Sequence, residues 1–93
     1  MNNTFRGEVK LFEREKGWYF VQVPSDLSGP LEHLADRGVI AITACIGKSS
    51  WPTSLLPMGD GTHFIPLPAK VRTKEKLSIG AETEVSFVVR TTK

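Results

Sequence analysis

Two stretches of the chain, GWYFVQVPSDL at residues 17–27 and GTHFIPLPAKV at residues 61–71, share one pattern of residue types. They lie 61 − 17 = 44 residues apart, and at that offset a glycine, a phenylalanine, three aliphatic residues and a proline recur in the same places. Internal repetition decides the architecture of a chain before any single motif does. The repeat therefore predicts two copies of one strand-turn-helix unit folded into one small body.

The bulk composition predicts one domain over residues 1–93, with repeat units at about 5–46 and 51–91. A chain of this length buries only about two-thirds of its unfolded surface, so a second copy of the chain is a candidate partner. The net charge of +2 gives little attraction for anionic partners. No signal pattern and no membrane-length apolar run is present, which predicts a cytoplasmic protein.

Alternating and β-branched residues predict strands, and proline and glycine predict their ends. We predict one short helix from Pro30 to Gly38 and a second turn or helix from Pro68 to Lys76. The fold class is therefore all-β with short helices, a six-stranded barrel from an internal duplication. The six predicted strands are Phe5–Glu13, Trp18–Val23, Val39–Ile46, Trp51–Met58, Thr62–Leu67 and Thr83–Thr91.

A series of short motifs runs in order through nearly the whole chain. It includes Phe5-x-Gly7, Gly17-Trp18-x-Phe20-Val21, Arg37-Gly38, Ser50-Trp51-x-Thr53-Ser54-Leu55 and Gly59-Asp60-Gly61. On these motifs the chain resembles the small bacterial domain-of-unknown-function family nineteen-oh-five, over about residues 5–89. The resemblance implies a double-split β-barrel and no particular activity.

The segment 64–80 is also similar to the swapped-hairpin transcription regulators of the AbrB and MazE type. Those proteins place a proline-led turn, a basic helix start and a Gly-Asp turn at this spacing, whereas this chain has Gly80 followed by alanine. The first repeat has Asp26 and Ser28 against Lys70 and Arg72 of the second. The resemblance implies kinship of fold and does not itself indicate DNA binding.

The leading functional hypothesis is a non-catalytic binding or interaction module with an unknown ligand. Tryptophan is favoured in binding sites, although it also commonly plugs the interior of a barrel. A polar-aromatic pocket would form if the sheet brings the tryptophans and nearby polar residues together. The predicted ligand-binding residues are Trp18, Arg37, Trp51, Thr53 and Ser54.

A basic segment gives the second hypothesis, a DNA-binding regulator. Its cationic side chains are Lys70, Arg72, Lys74 and Lys76. Four charges would release few counterions, which predicts weak and salt-sensitive binding. The alternative interpretation of this segment is an ordinary solvated surface.

Catalytic motifs are not evident, so no catalytic residue, cofactor or metal is predicted. His33 and His63 are 30 residues apart with no second ligand near either, and GKS at residues 47–49 lacks the first glycine of a phosphate-binding loop. A third hypothesis is a small hydrolase built around Trp51, Ser54 and His63. It requires the serine and the histidine to come within hydrogen-bond reach.

Overall fold

The computed structural model describes residues 2–12, 18–34, 39–58 and 62–90. These residues form a mostly β structure with two short α-helices and one 3₁₀ helix, Gly29–Leu34. The strands are β1 Asn2–Glu8, β2 Lys10–Phe12, β3 Trp18–Val23, β4 Ile40–Ile46, β5 Ser49–Pro57, β6 His63–Pro66 and β7 Glu82–Val89. The α-helices are α1 Ser25–Ser28 and α2 Ala69–Glu75.

The described strands form one antiparallel sheet in the order β1-β7-β4-β5-β6-β3-β2. Strand β5 belongs to both parts of it, since Ser49–Leu55 pair with β4 and Leu56–Pro57 pair with β6. The first and last strands of the order, β1 and β2, are separated in the chain by Val9 alone. The sheet therefore curls so that β1 and β2 approach each other at Val9, and it forms a half-barrel.

The core of the half-barrel follows from the two-residue period of the strands. In β4 every second side chain is buried, from Ile40 to Ile46, and the cross-strand partners on β5 and β7 face the same side. The prediction that Val39–Ile46 forms a central strand is confirmed, because β4 lies between β5 and β7. The largest buried core side chains are Phe87, Ile40, Ile42, Ile46, Leu55 and Ile65.

A second apolar cluster lies on the other face of the sheet. Phe20 alternates with the core residues of β3, and its ring stacks on Phe12 at 4.0 Å between centroids. Phe64 meets both rings edge-on, at 5.0 and 5.4 Å. Aromatic contacts of this geometry stabilise a fold beyond their buried area. The part of the sheet formed by β2, β3 and β6 is thus packed on both faces.

The described residues form seven strands, one more than the six predicted. The predicted strand Phe5–Glu13 divides at Val9, where the backbone N–H donates to Ala81 O (2.8 Å) and the carbonyl accepts from Gly80 N (2.9 Å). The chain turns there because β1 pairs with β7 and β2 pairs with β3.

The predicted helix beginning at Pro30 is also corrected. Helical structure begins earlier, at Ser25 directly after Pro24, and it continues as the 3₁₀ helix. The second helix lies inside the predicted range from Pro68 to Lys76. The predicted helix end at Gly38 and the predicted hairpin turn at residues 59–61 lie outside the described residues.

Candidate functional site

A cleft of about 510 Å³ opens where β3, β5, β6 and the start of α2 meet. Its volume falls in the range of roughly 300–1,000 Å³ that is usual for small-molecule sites. We call it the aromatic cleft. The residues that line it are Trp18, Tyr19, Trp51, Pro52, Thr53, Leu56, Pro66, Leu67, Pro68, Ala69 and Arg72.

Arg72 is held in the cleft by two contacts. Its guanidinium carbon lies 3.8 Å from the centroid of the Tyr19 ring, a cation–π distance. Its Nε donates a hydrogen bond to the carbonyl oxygen of Leu67 at 3.2 Å. Tyr19 is half-buried because it lies at the start of β3 on the face that continues to Val21 and Val23 in the core. The sheet therefore supplies the ring and the helix supplies the cation.

Helix α2 is fixed at its far end by a separate contact. Ser49 Oγ donates to the Glu75 carboxylate at 2.6 Å. The same carboxylate lies over Gly47, whose φ of +57° favours glycine, and a Cβ there would overlap it. The helix ends at Lys76 in the left-handed conformation, and Leu77 N donates to Arg72 O at 2.9 Å. These contacts set the position of α2, and with it the position of Arg72.

The two tryptophans form different walls of the cleft. Trp51 pairs with Ala44 of β4, is half-buried and packs against the core. Its indole N–H is enclosed and has no hydrogen-bond partner among the residues that the structure describes. Trp18 is the first residue of β3, pairs with Phe12 and is 50% exposed. Trp51 therefore combines the core and pocket interpretations, whereas Trp18 lies at the rim.

Three of the five predicted ligand-binding residues, Trp18, Trp51 and Thr53, line this cleft. Ser54 does not line it, because it alternates with Thr53 along β5 and pairs with Ala41 on the opposite face of the sheet. Arg37 lies outside the described residues.

The sequence indicates no site for Tyr19, and it groups Arg72 with the lysines of the basic segment. The two residues are 72 − 19 = 53 positions apart. No local spacing could therefore have paired them.

The structure divides the predicted basic segment. Lys70, Lys74 and Lys76 are exposed on α2 and its end, whereas Arg72 is half-buried against Tyr19. Lys70 and Lys74 are four residues apart and so share a helix face. The exposed basic surface therefore comprises three lysines, with the arginine turned toward the cleft.

The structure does not bring Ser54 and His63 together. His63 is 5% exposed on β6, where it pairs with Val23 and Pro57 on the core side of the sheet. Ser54 lies three residues before Pro57 on β5, about 10 Å along the strand, and faces the other side. A nucleophile and its base need hydrogen-bond reach, which this arrangement does not give.

Clusters of metal ligands and membrane-length helices are both absent from the described part of the chain. In the ranges 2–12, 18–34, 39–58 and 62–90, no group of three or more histidine, cysteine, aspartate or glutamate side chains is arranged to hold a metal ion. None of the described helices has the length and apolar character needed to cross a bilayer.

Comparison with known proteins places the chain in one family. A search of curated proteins returned no match. The family model described as "Domain of unknown function (DUF1905)" matches residues 5–87, which is most of the chain and includes every described lining residue of the aromatic cleft. The resemblance to swapped-hairpin regulators stays a prediction. The chain belongs to the DUF1905 family.

Proposed function

We propose that this chain is a non-catalytic binding module that holds a small ligand in the aromatic cleft. One observation carries the proposal. The curled sheet brings Trp18 together with Trp51 and Thr53, which lie far from it in the sequence, around one cleft of about 510 Å³. Such a cleft, mostly apolar with a few polar groups, is the usual form of a small-molecule site.

Binding is favoured over catalysis by the side chains present. Tyr19 and Thr53 carry hydroxyl groups, but no histidine or carboxylate is among the described residues that line the cleft. An unassisted hydroxyl is a poor nucleophile without an adjacent base. The described lining can therefore enclose and orient a ligand without supplying proton transfer.

A fragment screen by ligand-observed NMR tests the proposal. We expect flat fragments to bind the wild type and to lose affinity in Trp18→Ala, because that change removes one aromatic wall. The matched control is Ser54→Ala, since Ser54 neighbours Thr53 on the same strand but faces away from the cleft. Equal loss in both variants, or no fragment binding by the wild type, would contradict the proposal.

The proposed architecture is the six-stranded double-split barrel with an internal duplication. Counting β1 and β2 as one bent strand gives six. The 44-residue offset also relates the strand pairs to one another. Adding 44 to the first residue of a pair and subtracting 44 from the second gives another observed pair. In the β3–β6 ladder, Phe20↔Pro66 becomes Gln22↔Phe64 in this way. In the β4–β7 ladder, Ile42↔Val89 becomes Cys45↔Ser86. Two ladders that share one symmetry support a duplicated unit.

The alternative function, a DNA-binding regulator, has less support. Turning Arg72 toward Tyr19 leaves Lys70, Lys74 and Lys76 as the exposed cations of the segment. A bacterial, cytoplasmic origin, and a second copy of the chain as partner, stay predictions.

A further inference from the structure

We infer that the ligand of the aromatic cleft is a small organic anion with a flat aromatic body, and that Arg72 binds its carboxylate or phosphate group. The inference rests on the proposed function, since it names the class of ligand for the same cleft. Charge, shape and a second cleft in the same molecule carry it.

Charge comes first. Arg72 is the one charged side chain among the described residues that line the cleft. Glu75, the acid nearest to it on α2, already accepts a hydrogen bond from Ser49. A guanidinium that is partly removed from water is stabilised most by an opposite charge. The cleft thus has an unbalanced positive charge, which selects an anion over a cation or a zwitterion.

The hydrogen-bonding capacity of Arg72 is only partly used. The Nε–H donates to Leu67 O, and one face of the guanidinium is covered by Tyr19. The two terminal nitrogens carry four further N–H groups. These four have no acceptor among the described residues. A planar fork of free N–H donors matches the two oxygens of a carboxylate or a phosphate.

The walls define the rest of the ligand. Trp18 and Trp51 contribute indole rings, and Pro52, Pro66 and Pro68 contribute rigid apolar surface. The indole nitrogen of Trp51 is enclosed by protein, so this side chain offers carbon surface and not a donor to a ligand. Flat apolar groups stack on such walls, as bases stack on aromatic side chains in nucleic-acid sites.

A second cleft, of about 370 Å³, provides an internal contrast. The 44-residue offset carries Trp18 to Thr62 and Leu67 to Val23, and both of these residues line the second cleft. We call it the mixed-charge cleft. Its lining residues are Arg6, Gly7, Glu8, Lys10, Gln22, Val23, Pro24, Ser25 and Thr62.

The mixed-charge cleft has charges of both signs and, in its described lining, no aromatic ring. Arg6 there lies 3.7 Å from Glu82 and is largely exposed. Neither the unbalanced cation nor the flat walls recur, so an aromatic anion should occupy the aromatic cleft alone.

The test compares 2-naphthoate with its neutral analogue 2-naphthylmethanol, by ligand-observed NMR and by quenching of tryptophan fluorescence. We expect the wild type to bind the carboxylate about 10- to 100-fold more tightly, the range expected for hydrogen bonds to a charged group. The preference should shrink as salt rises from about 50 to 500 mM, because salt screens the charge. Naphthyl phosphate should bind with a similar preference, and its comparison with naphthoate shows which anionic group the fork favours.

Arg72→Gln should abolish the preference for the anion. The matched control is Lys74→Gln, which removes the same charge from an exposed position of the same helix and should retain the preference. Arg72→Lys keeps the charge without the planar fork and should show an intermediate preference. Thermal unfolding establishes that each variant is folded, and Arg72→Lys together with the salt series decides the matter if Arg72→Gln does not fold.

The outcomes separate the two proposals. If both probes bind equally and both lose affinity in Trp18→Ala, the anion inference is overturned and the binding module stands. If Lys74→Gln removes the preference as fully as Arg72→Gln, general surface charge explains it and the inference is again overturned. If neither probe binds at concentrations up to about 10 mM, where even a weak specific complex would form, both proposals fail.

Discussion

The aromatic cleft and the mixed-charge cleft have lining residues that the 44-residue offset relates to one another, yet they present opposite chemistry. In both, a proline, Pro24 or Pro68, follows a strand, and a helix begins directly after that proline. One cleft gathers indole and proline surface around a single cation, and the other gathers exposed charges of both signs. The comparison shows that the backbone frame creates a cleft, whereas a few side chains on it decide what the cleft can hold.

The helices beside the clefts differ as much as their walls. Helix α2 has seven residues and is tied to the sheet through Arg72 and Glu75. Helix α1 has four residues and passes into a 3₁₀ helix. Its residue at the offset of Arg72 is Ser28, which is fully buried and whose hydroxyl has no partner among the described residues. The longer, anchored helix α2 therefore presents a cation to its cleft, whereas the shorter helix α1 has a buried serine at the related position.

The largest effect is expected where the two halves share one core. Ile65 pairs with Val21 at the centre of the β3–β6 ladder, and both are fully buried. We expect Ile65→Ala to lower the free energy of unfolding by about 2–5 kcal/mol, because it leaves a cavity. Urea unfolding measures this change, and Ile79→Ala is the matched control because Ile79 is 57% exposed.

A single cooperative transition for Ile65→Ala would support one core beneath both clefts. Two separate transitions would show that the halves are stabilised independently. If the variant is unfolded, Ile65→Val gives the same comparison at a smaller cost of about 0.5–1.5 kcal/mol.

The second effect concerns the hydrogen bond between Ser49 and Glu75 that anchors α2. Gly47→Ala places a Cβ at φ +57° and displaces the Glu75 carboxylate from Ser49, so we expect a loss of about 2 kcal/mol in the free energy of unfolding. Gly80→Ala has a φ of +90° but open space around its Cβ, and should cost only the backbone strain. Gly29→Ala, at the end of α1, has helical dihedrals and open space, and should be neutral or slightly stabilising.

Denaturant unfolding of these three variants should rank them Gly47, Gly80, Gly29 from the most to the least destabilising. If Gly47→Ala costs no more than Gly80→Ala, the contact between Glu75 and Ser49 does not anchor the helix. Arg72 alone would then hold α2 against the sheet in this comparison of the two helices.

The strands could be predicted where one local signal dominates. The predicted strands Trp18–Val23 and Val39–Ile46 follow from runs of β-branched and aromatic residues, and the structure reproduces them to within a residue. The break at Val9 could not be predicted, since valine is a typical strand residue and the break reflects a change of pairing partner from β7 to β3. Local propensity carries no information about such distant partners.

The candidate site shows the same division. Tryptophan is favoured in binding sites, and this preference alone indicates Trp18 and Trp51 as candidate binding residues. The sequence instead groups Lys70, Arg72, Lys74 and Lys76 in one basic segment, because the Tyr19 ring that contacts Arg72 comes from a distant strand. Side-chain identity indicated the walls of the cleft, and only the tertiary contact revealed its cation.

The smallest expected effect is on affinity for nucleic acid, and it depends on the charged residues that differ between α2 and the α1 segment. Helix α2 exposes Lys70 and Lys74, whereas the equivalents of these residues on the α1 side are Asp26 and Pro30. Each phosphate contact adds about 0.9 to the slope of log affinity against log salt, so two lysines give only weak attraction for a duplex. We expect little binding of a labelled random-sequence duplex in fluorescence anisotropy at about 200 mM salt, and little change in Lys70→Gln/Lys74→Gln.

The same titration at about 50 mM salt decides whether a DNA-binding surface exists. Micromolar binding there that the double lysine variant abolishes would favour the regulator and make the aromatic cleft secondary. Arg72→Gln is the informative partner in that experiment, because the residue faces Tyr19 and not the lysine surface. If it lowers duplex affinity as much as the lysine changes, the arginine must leave the cleft to reach phosphate, and the division of the basic segment would be wrong. If it leaves duplex affinity unchanged while removing the preference for 2-naphthoate, one seven-residue helix carries a solvated lysine face and an arginine that binds a ligand.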